Sequence, residues 1–406
     1  MNNFFNYSNL RQIHVELTNA CNAACPCCPR FYSNSPLTRP DLQINQITLE
    51  KFKKYFDVDL IKQLHTFMFC GVIGDPGMAK DLYEICEYAL SCNSHIHILI
   101  HTNGGMRKPE FWGRLGSLFK GTNCRVTFSV DGLEDTNHLY RRQVSWPVLF
   151  ANMTAYLNAG GNAEWDFLIF RHNEHQVVEA KQLSKQLGFR KFNLKKALGF
   201  EWEDGLKTVP VITREGKKEY SIFPPINKNF RNLENPKSEN IVELHQEFRV
   251  DEYYEWKKDK KSIFNFDEQI VNAYSLLEEQ YDDKFDDKSL TCKSKKSNGH
   301  IEVFVDSDGT IAPCCYVGTQ INSTLFDPIS LQLHYELNKY GWEKFNLEKY
   351  SIKEILEAGH LDRVFSDSWS KPSCQSGKLA YCVNTCGDNN QLDRIHFKKD
   401  GKDLPT

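Results

Sequence analysis

Over its first 200 residues the chain alternates short apolar runs with amphipathic stretches. The apolar runs predict strands at Ile13–Leu17, Thr66–Cys70, His95–Ile100, Arg125–Val130, Trp165–Phe170 and Lys191–Leu194. Between them, Met78–Cys92 places Leu82, Ile85, Cys86 and Leu90 on one helical face. Val177–Leu187 does the same with Val177, Ala180, Leu183 and Leu187, and stops at Gly188. Strands alternating with helices build βα units and a parallel sheet, closed as an open doubly wound sheet or as a curled partial barrel. Periodicity does not choose between the two. In both, the loops at the carboxyl ends of the strands hold the active site.

The rhythm is lost from about residue 200 to 290, where Glu247–Gln269 mixes charges with aromatics. This stretch reads as a linker with some helix, a solvated connector or a substrate-facing cover. From Ile301, Asp308-Gly309 between two apolar runs predicts a β-hairpin. It opens a cysteine-rich α+β module that reaches Cys386. The expected domains are therefore residues 1–200 (α/β core), 201–290 (charged and aromatic linker) and 291–406 (cysteine-rich module).

Composition narrows the class. A formal charge of −3 and 25% charged residues give no electrostatic reason for a polyanionic partner, and no basic, aromatic-interleaved patch points to nucleic acid. No run of eighteen apolar residues predicts a membrane span, and the N-terminus lacks the basic and apolar regions of an export signal. Fourteen cysteines without such a signal read as reduced thiols in a cytoplasmic protein, the clustered ones with ligand or redox roles.

The first cluster is "TNACNAACPCCPR", directly after the first strand. Cys21, Cys25 and Cys28 are spaced C-x3-C-x2-C. Three thiolates on a tight loop can hold three irons of a cubane and leave the fourth open, as catalysis requires. Structural zinc wants four closed ligands, and Cys27 points elsewhere as the neighbour of Cys28. Structural zinc and inert thiols stay as the plainer alternatives.

These residues resemble the signature of radical SAM enzymes. Further stretches fall in the order of that family: Gly74-Asp75-Pro76 after the second strand, "HTNGG" with Thr102 and Asn103 after the third, and "SVDG" with Ser129 and Asp131 after the fourth. The resemblance implies a partial (βα)6 barrel, a [4Fe-4S] cluster on Cys21, Cys25 and Cys28, and bound S-adenosylmethionine. Reductive cleavage of that cofactor to a 5′-deoxyadenosyl radical, which takes hydrogen from the substrate, is the implied reaction. Gly74, Asp75 and Pro76 would bind its amino group, and Ser129 and Arg142 its ribose and carboxylate. The chain departs from the family in Asp75, where Glu is usual, and in Cys27, where an aromatic residue often lies near the adenine. An electron donor such as flavodoxin or ferredoxin is implied as partner.

Cys292, Cys314, Cys315, Cys374, Cys382 and Cys386 resemble the auxiliary modules called SPASM or twitch. A full SPASM pattern holds two clusters. Here Gly377 stands where a cysteine is expected, so one auxiliary [4Fe-4S] cluster is implied. Four of Cys292, Cys314, Cys374, Cys382 and Cys386 would hold it, Cys382 and Cys374 competing for one place and Cys315 only neighbouring it. A four-thiolate zinc site is the alternative.

Cys86, Cys92 and Cys124 read as small core residues, and Cys70 as a thiol facing the cavity. His95, His97 and His101 share a face, as polar packing or, less simply, a metal triad. Cys27, Cys70, Asp75 and Asp131 are the catalytic candidates, with Glu16 also at a strand end. The layout implies a peptide or peptide-derived substrate. The first strand starts about a dozen residues from Met1, leaving no space for a fused peptide-recognition domain, which counts against a peptide. A small molecule such as a sugar, nucleotide or cofactor precursor is the second reading, and a non-catalytic iron–sulfur electron carrier or sensor the third.

Overall fold

The structure is a computed structural model that describes residues 4–31, 36–38, 42–197, 201–202, 205–206, 208–231, 290–321, 328–374 and 376–387. Most of the aromatic and charged segment, Glu247–Gln269 included, lies outside the described residues.

Six parallel strands follow the predicted runs: β1 (Leu10–Val15), β2 (Thr66–Cys70), β3 (His97–Thr102), β4 (Arg125–Ser129), β5 (Ala163–Ile169) and β6 (Lys191–Lys196). The linking helices are α1 (Leu49–Tyr55), α2 (Val58–Gln63), α3 (Leu82–Cys92), α4 (Pro109–Phe119), α5 (Asn137–Tyr140), α6 (Trp146–Asn158) and α7 (Val177–Gln186). Their apolar stripes cover one face of the sheet. On that face Ile13, Val15, Phe67, Phe69, Ile98, Ile100, Val126, Phe128, Trp165 and Phe167 are fully buried. Each such side chain contributes roughly 1.5–3 kcal/mol on burial, so this face carries the core. Gly116 lets α4 and α6 approach, since a Cβ there would stand 2.3 Å from the Tyr156 carbonyl oxygen.

The opposite face is polar and concave. In a flat sheet the four spacings from β2 to β6 would separate them by roughly 19 Å. Yet Lys195 on β6 counters the burial that pushes the Cys70 thiol on β2 up to about 12. His101 Nδ1 also lies 3.9 Å from Asp166 Oδ2, two strands away. The sheet therefore curls around a lumen.

After β6 come the two-residue strands β7 (Glu201–Trp202) and β8 (Gly205–Leu206), then a hairpin of β9 (Val209–Ile212) and β10 (Lys218–Ile222). That hairpin buries Val209, Val211 and Ile222 against Phe170.

The predicted rear hairpin forms from β11 (Ile301–Val305) and β12 (Ile311–Ala312), turning at Gly309 with φ +87°. It does not stand apart from the core. β11 pairs in parallel with β1, Ile13 beside Val303 and Val15 beside Val305, giving one eight-stranded sheet in the order β12-β11-β1-β2-β3-β4-β5-β6. The pairing satisfies the backbone of β1, which would otherwise be an open edge. The rear segment continues with α8 (Cys315–Ile321), α9 (Pro328–Tyr340), α10 (Ile352–Glu357) and α11 (Ala380–Cys386). No helix among the described residues is long and apolar enough to cross a membrane.

Candidate active site

The cysteine loop leaves the carboxyl end of β1, and the loops after β2, β3 and β4 meet it there. Glu16 begins the assembly: its Oε1 accepts from the backbone N–H of Ile73 at 2.9 Å and of Gly74 at 2.7 Å. Gly74 packs so closely that a Cβ would meet the Thr18 carbonyl oxygen at 2.0 Å. Only glycine fits that approach.

Asp75 is buried and fully used by this chain. Its Oδ1 accepts from Thr102 Oγ1 at 2.7 Å and Gly77 N at 2.9 Å; its Oδ2 accepts from Asn103 N and Asn103 Nδ2, both at 2.8 Å. Four donors fill the capacity of a carboxylate. The side chain therefore clamps the β2 and β3 loops together. Burial raises its carboxyl, and these hydrogen bonds oppose that rise. Asn103 Nδ2 also reaches Asn22 Oδ1 at 2.9 Å and the Cys21 sulfur at 3.8 Å, tying the clamp to the cysteine loop.

Cys21, Cys25 and Cys28 lie within one another's electrostatic range. Burial pushes all three thiols up, Cys28 to about 12; Cys25 raises Cys21 and Cys28 further, and Cys28 also raises Cys21. Donors face the sulfurs: Ala23 N at 3.4 Å from Cys21, and Arg141 Nη1 at 3.7 Å from Cys25. Asp131 holds Arg141, accepting from its Nε at 2.6 Å, while Leu168 N takes the other oxygen at 2.7 Å. Asp131 is thus an internal support.

The loop treats its other residues differently. Cys27 is exposed with φ +64°, a left-handed backbone that turns it away from the trio. Arg142 does not face the cysteines: its Nη2 lies 2.6 Å from Glu219 Oε2 and its Nη1 donates to Ile212 O at 3.4 Å, pinning the β9–β10 hairpin. The neighbouring Arg141, which sequence reasoning missed, holds the inward position; in an Arg-Arg pair nothing marks which one faces in. Ser129 is half-buried at the end of β4. Pro76 opens a single 3-10 turn capped by Asp75. His95 and His97 are exposed while His101 lines the lumen, so the three do not gather on a metal.

At the rear, Cys292, Cys314, Cys382 and Cys386 line one pocket with Leu290, Pro313, Tyr316, Val317, Trp369, Tyr381 and Thr385. Burial raises Cys292 to about 11 and pushes Cys314 and Cys382 higher. The Trp369 indole N–H is buried without a hydrogen-bond partner of ordinary geometry and acts on the Cys382 sulfur, easing its ionisation. Cys374 packs instead with Ala380 and Val383. Cys315 lies beside Cys314 and is felt by Cys70, linking the rear pocket to the lumen.

Among the described residues no three His, Cys, Asp or Glu side chains converge on a single metal ion. A lone zinc needs its sulfurs about 2.3 Å from one point. A cubane takes one thiolate per iron and spreads them. The three front thiols are gathered without converging on one point and have N–H donors at their sulfurs, a donor set that suits one thiolate per iron of a cubane.

The family model described as the radical SAM superfamily matches residues 15–183. Over those residues, under half of the chain, the sequence is similar to that family. A domain of that family implies a [4Fe-4S] cluster and S-adenosylmethionine. No curated protein matches the sequence. Solved structures share low similarity. SuiB of Streptococcus suis bound to S-adenosylmethionine is 13% identical with a TM-score of 0.41, over 76% of this chain and 61% of that one. The protein anSMEcpe with bound AdoMet and the Kp18Cys peptide is 15% identical with a TM-score of 0.46, over 95% and 92%. BtrN in complex with AdoMet and 2-DOIA is 11% identical with a TM-score of 0.37, over 94% and 93%. Likenesses of this degree say nothing about the substrate. The chain spans 61% of the SAM-bound SuiB chain.

Proposed function

We propose that this chain is a radical SAM enzyme acting on a peptide or a peptide-derived product. Cys21, Cys25 and Cys28 would hold the cofactor's cluster, and Cys292, Cys314, Cys382 and Cys386 a second one in a SPASM- or twitch-like segment. The observation that carries the reading is the match of residues 15–183 to the radical SAM superfamily, with three half-buried thiols at the mouth of the curled sheet. When bound, the cluster and S-adenosylmethionine supply one-electron chemistry that removes hydrogen from an unactivated position.

The protein's own contribution is placement and shielding. Asp75 fixes the loops around the cofactor rather than offering a vacant acceptor. Arg141 sets a positive charge beside Cys25, favouring its thiolate. Gly74, Pro76, Thr102, Asn103 and Ser129 are the remaining cofactor-side residues of the reading. A curled sheet with apolar outer packing limits water at the reacting position.

One feature supports an extended substrate: β6 pairs only with β5 among the described residues, so the lumen is open along that side. A second cluster, if held by the rear thiols, would supply a site to receive an electron from the substrate. A small hydroxylated molecule is the second reading, favoured by the polarity of the lumen. Fourteen thiols, none in a disulfide, support a reducing cytoplasm, where flavodoxin or ferredoxin would donate electrons.

The test is anaerobic purification with iron and sulfide analysis, followed by detection of 5′-deoxyadenosine after reduction with S-adenosylmethionine present. About eight iron and eight sulfide per chain, with 5′-deoxyadenosine formed, are expected. Zinc in place of iron, or iron without 5′-deoxyadenosine, overturns the reading.

A further inference from the structure

The lumen carries chemistry that the cysteine site does not use. Into it face His14 and Glu16 from β1, Cys70 from β2, His101 from β3, Asp166 from β5 and Lys195 from β6. Three ion pairs stand on its walls. Lys195 Nζ lies 2.5 Å from Asp166 Oδ2, Arg125 Nε 3.2 Å from Glu164 Oε1, and Lys296 Nζ 2.9 Å from Glu302 Oε2. Any ionic group entering must break a pair or remain uncompensated, and both are unfavourable in a buried site.

Two polar atoms on β1 are left over. His14 Nδ1 and Glu16 Oε2 are buried with no hydrogen-bond partner, and their side chains are almost wholly covered. The roles of both follow from their neighbours. His14 Nε2 donates to Cys70 O at 2.7 Å, which leaves Nδ1 as the acceptor of the ring. Glu16 Oε1 already accepts from the Ile73 and Gly74 N–H groups. Burial, then the Asp306 charge, raises the Glu16 carboxyl toward its protonated form, and Oε2 is the oxygen left without a hydrogen-bond partner. One donor and one acceptor thus stand two residues apart on the same face of a strand, with Cα atoms about 6.6 Å apart.

A hydroxyl matches that pair, since it donates once and accepts twice. An aliphatic group would seal both atoms in without partners. Above them the wall admits entry: the His101 and Lys195 side chains are 28% and 24% exposed.

We propose that His14 and Glu16 form a hydroxyl-binding floor in the lumen, holding a neutral, hydroxyl-bearing part of the substrate beneath the cysteine loop. The inference rests on the radical SAM reading above. Glu16 then has two jobs, since the same carboxyl braces the Gly74 turn.

Iron-loaded enzyme saturated with S-adenosylmethionine, kept anaerobic, is titrated with N-acetylserinamide, N-acetylalaninamide, N-acetylaspartamide and myo-inositol by saturation-transfer NMR. The serine probe should bind at least fivefold tighter than the alanine probe, and the aspartyl probe no better than alanine. Glu16→Ala and His14→Phe should each erase the serine preference. Glu16→Gln, which keeps an acceptor for the Gly74 turn and a donor for the hydroxyl, should retain most of it. Iron content of each variant reports whether it has folded, and the glutamine variant carries the test if the alanine one has not. Binding of inositol with the same losses, without a serine preference, keeps the floor and assigns the hydroxyl to a small molecule. A preference for the aspartyl probe, a serine preference untouched by the variants, or no preference for any hydroxyl overturns the proposal. Absence of 5′-deoxyadenosine after dithionite is added to the same sample, with the serine preference intact, would sink the enzyme reading alone.

Discussion

At the front, each cysteine sulfur is met by polar groups. Cys21 receives Ala23 N and Asn103 Nδ2, Cys25 receives Arg141, and the loop lies open at the mouth of the sheet. At the rear, four cysteines share a pocket walled by Leu290, Pro313, Val317, Tyr381 and Trp369. Three ligands among donors suit a site that is completed by something from outside. Four thiols in a largely apolar wall, with donors such as the Trp369 indole N–H at their sulfurs, would suit one that is complete on its own. On the proposed reading the same side chain would serve chemistry in one place and storage or transfer of an electron in the other, with the surroundings deciding which.

The sharpest way to break this comparison is to remove one ligand from each side. Cys25→Ala should abolish 5′-deoxyadenosine formation and leave about four iron per chain, held at the rear. Iron and sulfide analysis with product chromatography reads both. If front iron persists, the open site does not depend on this trio.

The next effect separates two rear candidates that spacing left tied. Cys382→Ala should cost about four iron, with the front still cleaving S-adenosylmethionine. Cys374→Ala should keep all the iron and cost stability only, about 1–2 kcal/mol for a small buried side chain in an apolar cluster. Loss of iron in the Cys374 variant, and none in the Cys382 variant, would reverse the assignment.

Much of the front was legible in the sequence because local spacing decides it. Cys21, Cys25 and Cys28 lie on one loop, and the strands flanking it follow short-range apolar patterns. What was not legible depended on tertiary contact. The hairpin turn at Gly309 is local, but its docking on β1 joins residues nearly 290 positions apart. Whether Cys374 or Cys382 enters the rear pocket depends on how α11 is oriented, which the C-x7-C-x3-C spacing does not record. Asp75 reads from its motif as a cofactor acceptor, yet four donors from this chain fill it. The polar lumen was written in the strands as a partial alternation, as in "QIHVE" and "HIHI". Parallel strands are usually apolar on both faces, so that alternation was the missed signal for a lumen.

A smaller effect compares two adjacent arginines. Arg141→Met removes the charge beside Cys25 and leaves the buried Asp131 carboxylate unpaired, which should cost about 3–5 kcal/mol and slow cluster assembly. Arg142→Met removes an ion pair with the half-exposed Glu219 and should cost under about 1 kcal/mol. Denaturant melts of the anaerobic proteins rank the two. Equal losses would mean that Arg142 also supports the cysteine loop.

The smallest effect concerns the one front cysteine that stands outside the trio. Cys27 holds φ +64° and is exposed. A left-handed backbone disfavours any residue with a Cβ by about 1–2 kcal/mol, and glycine by almost nothing. Against that gain, glycine adds freedom to the unfolded chain, which costs up to about 1 kcal/mol. Cys27→Gly should therefore leave stability unchanged or slightly raised, and iron content and 5′-deoxyadenosine yield intact. Thermal melts and iron analysis of the variant decide the matter. Loss of front iron would show that Cys27 is a ligand after all, and the contrast between three front thiolates and four rear ones would fall.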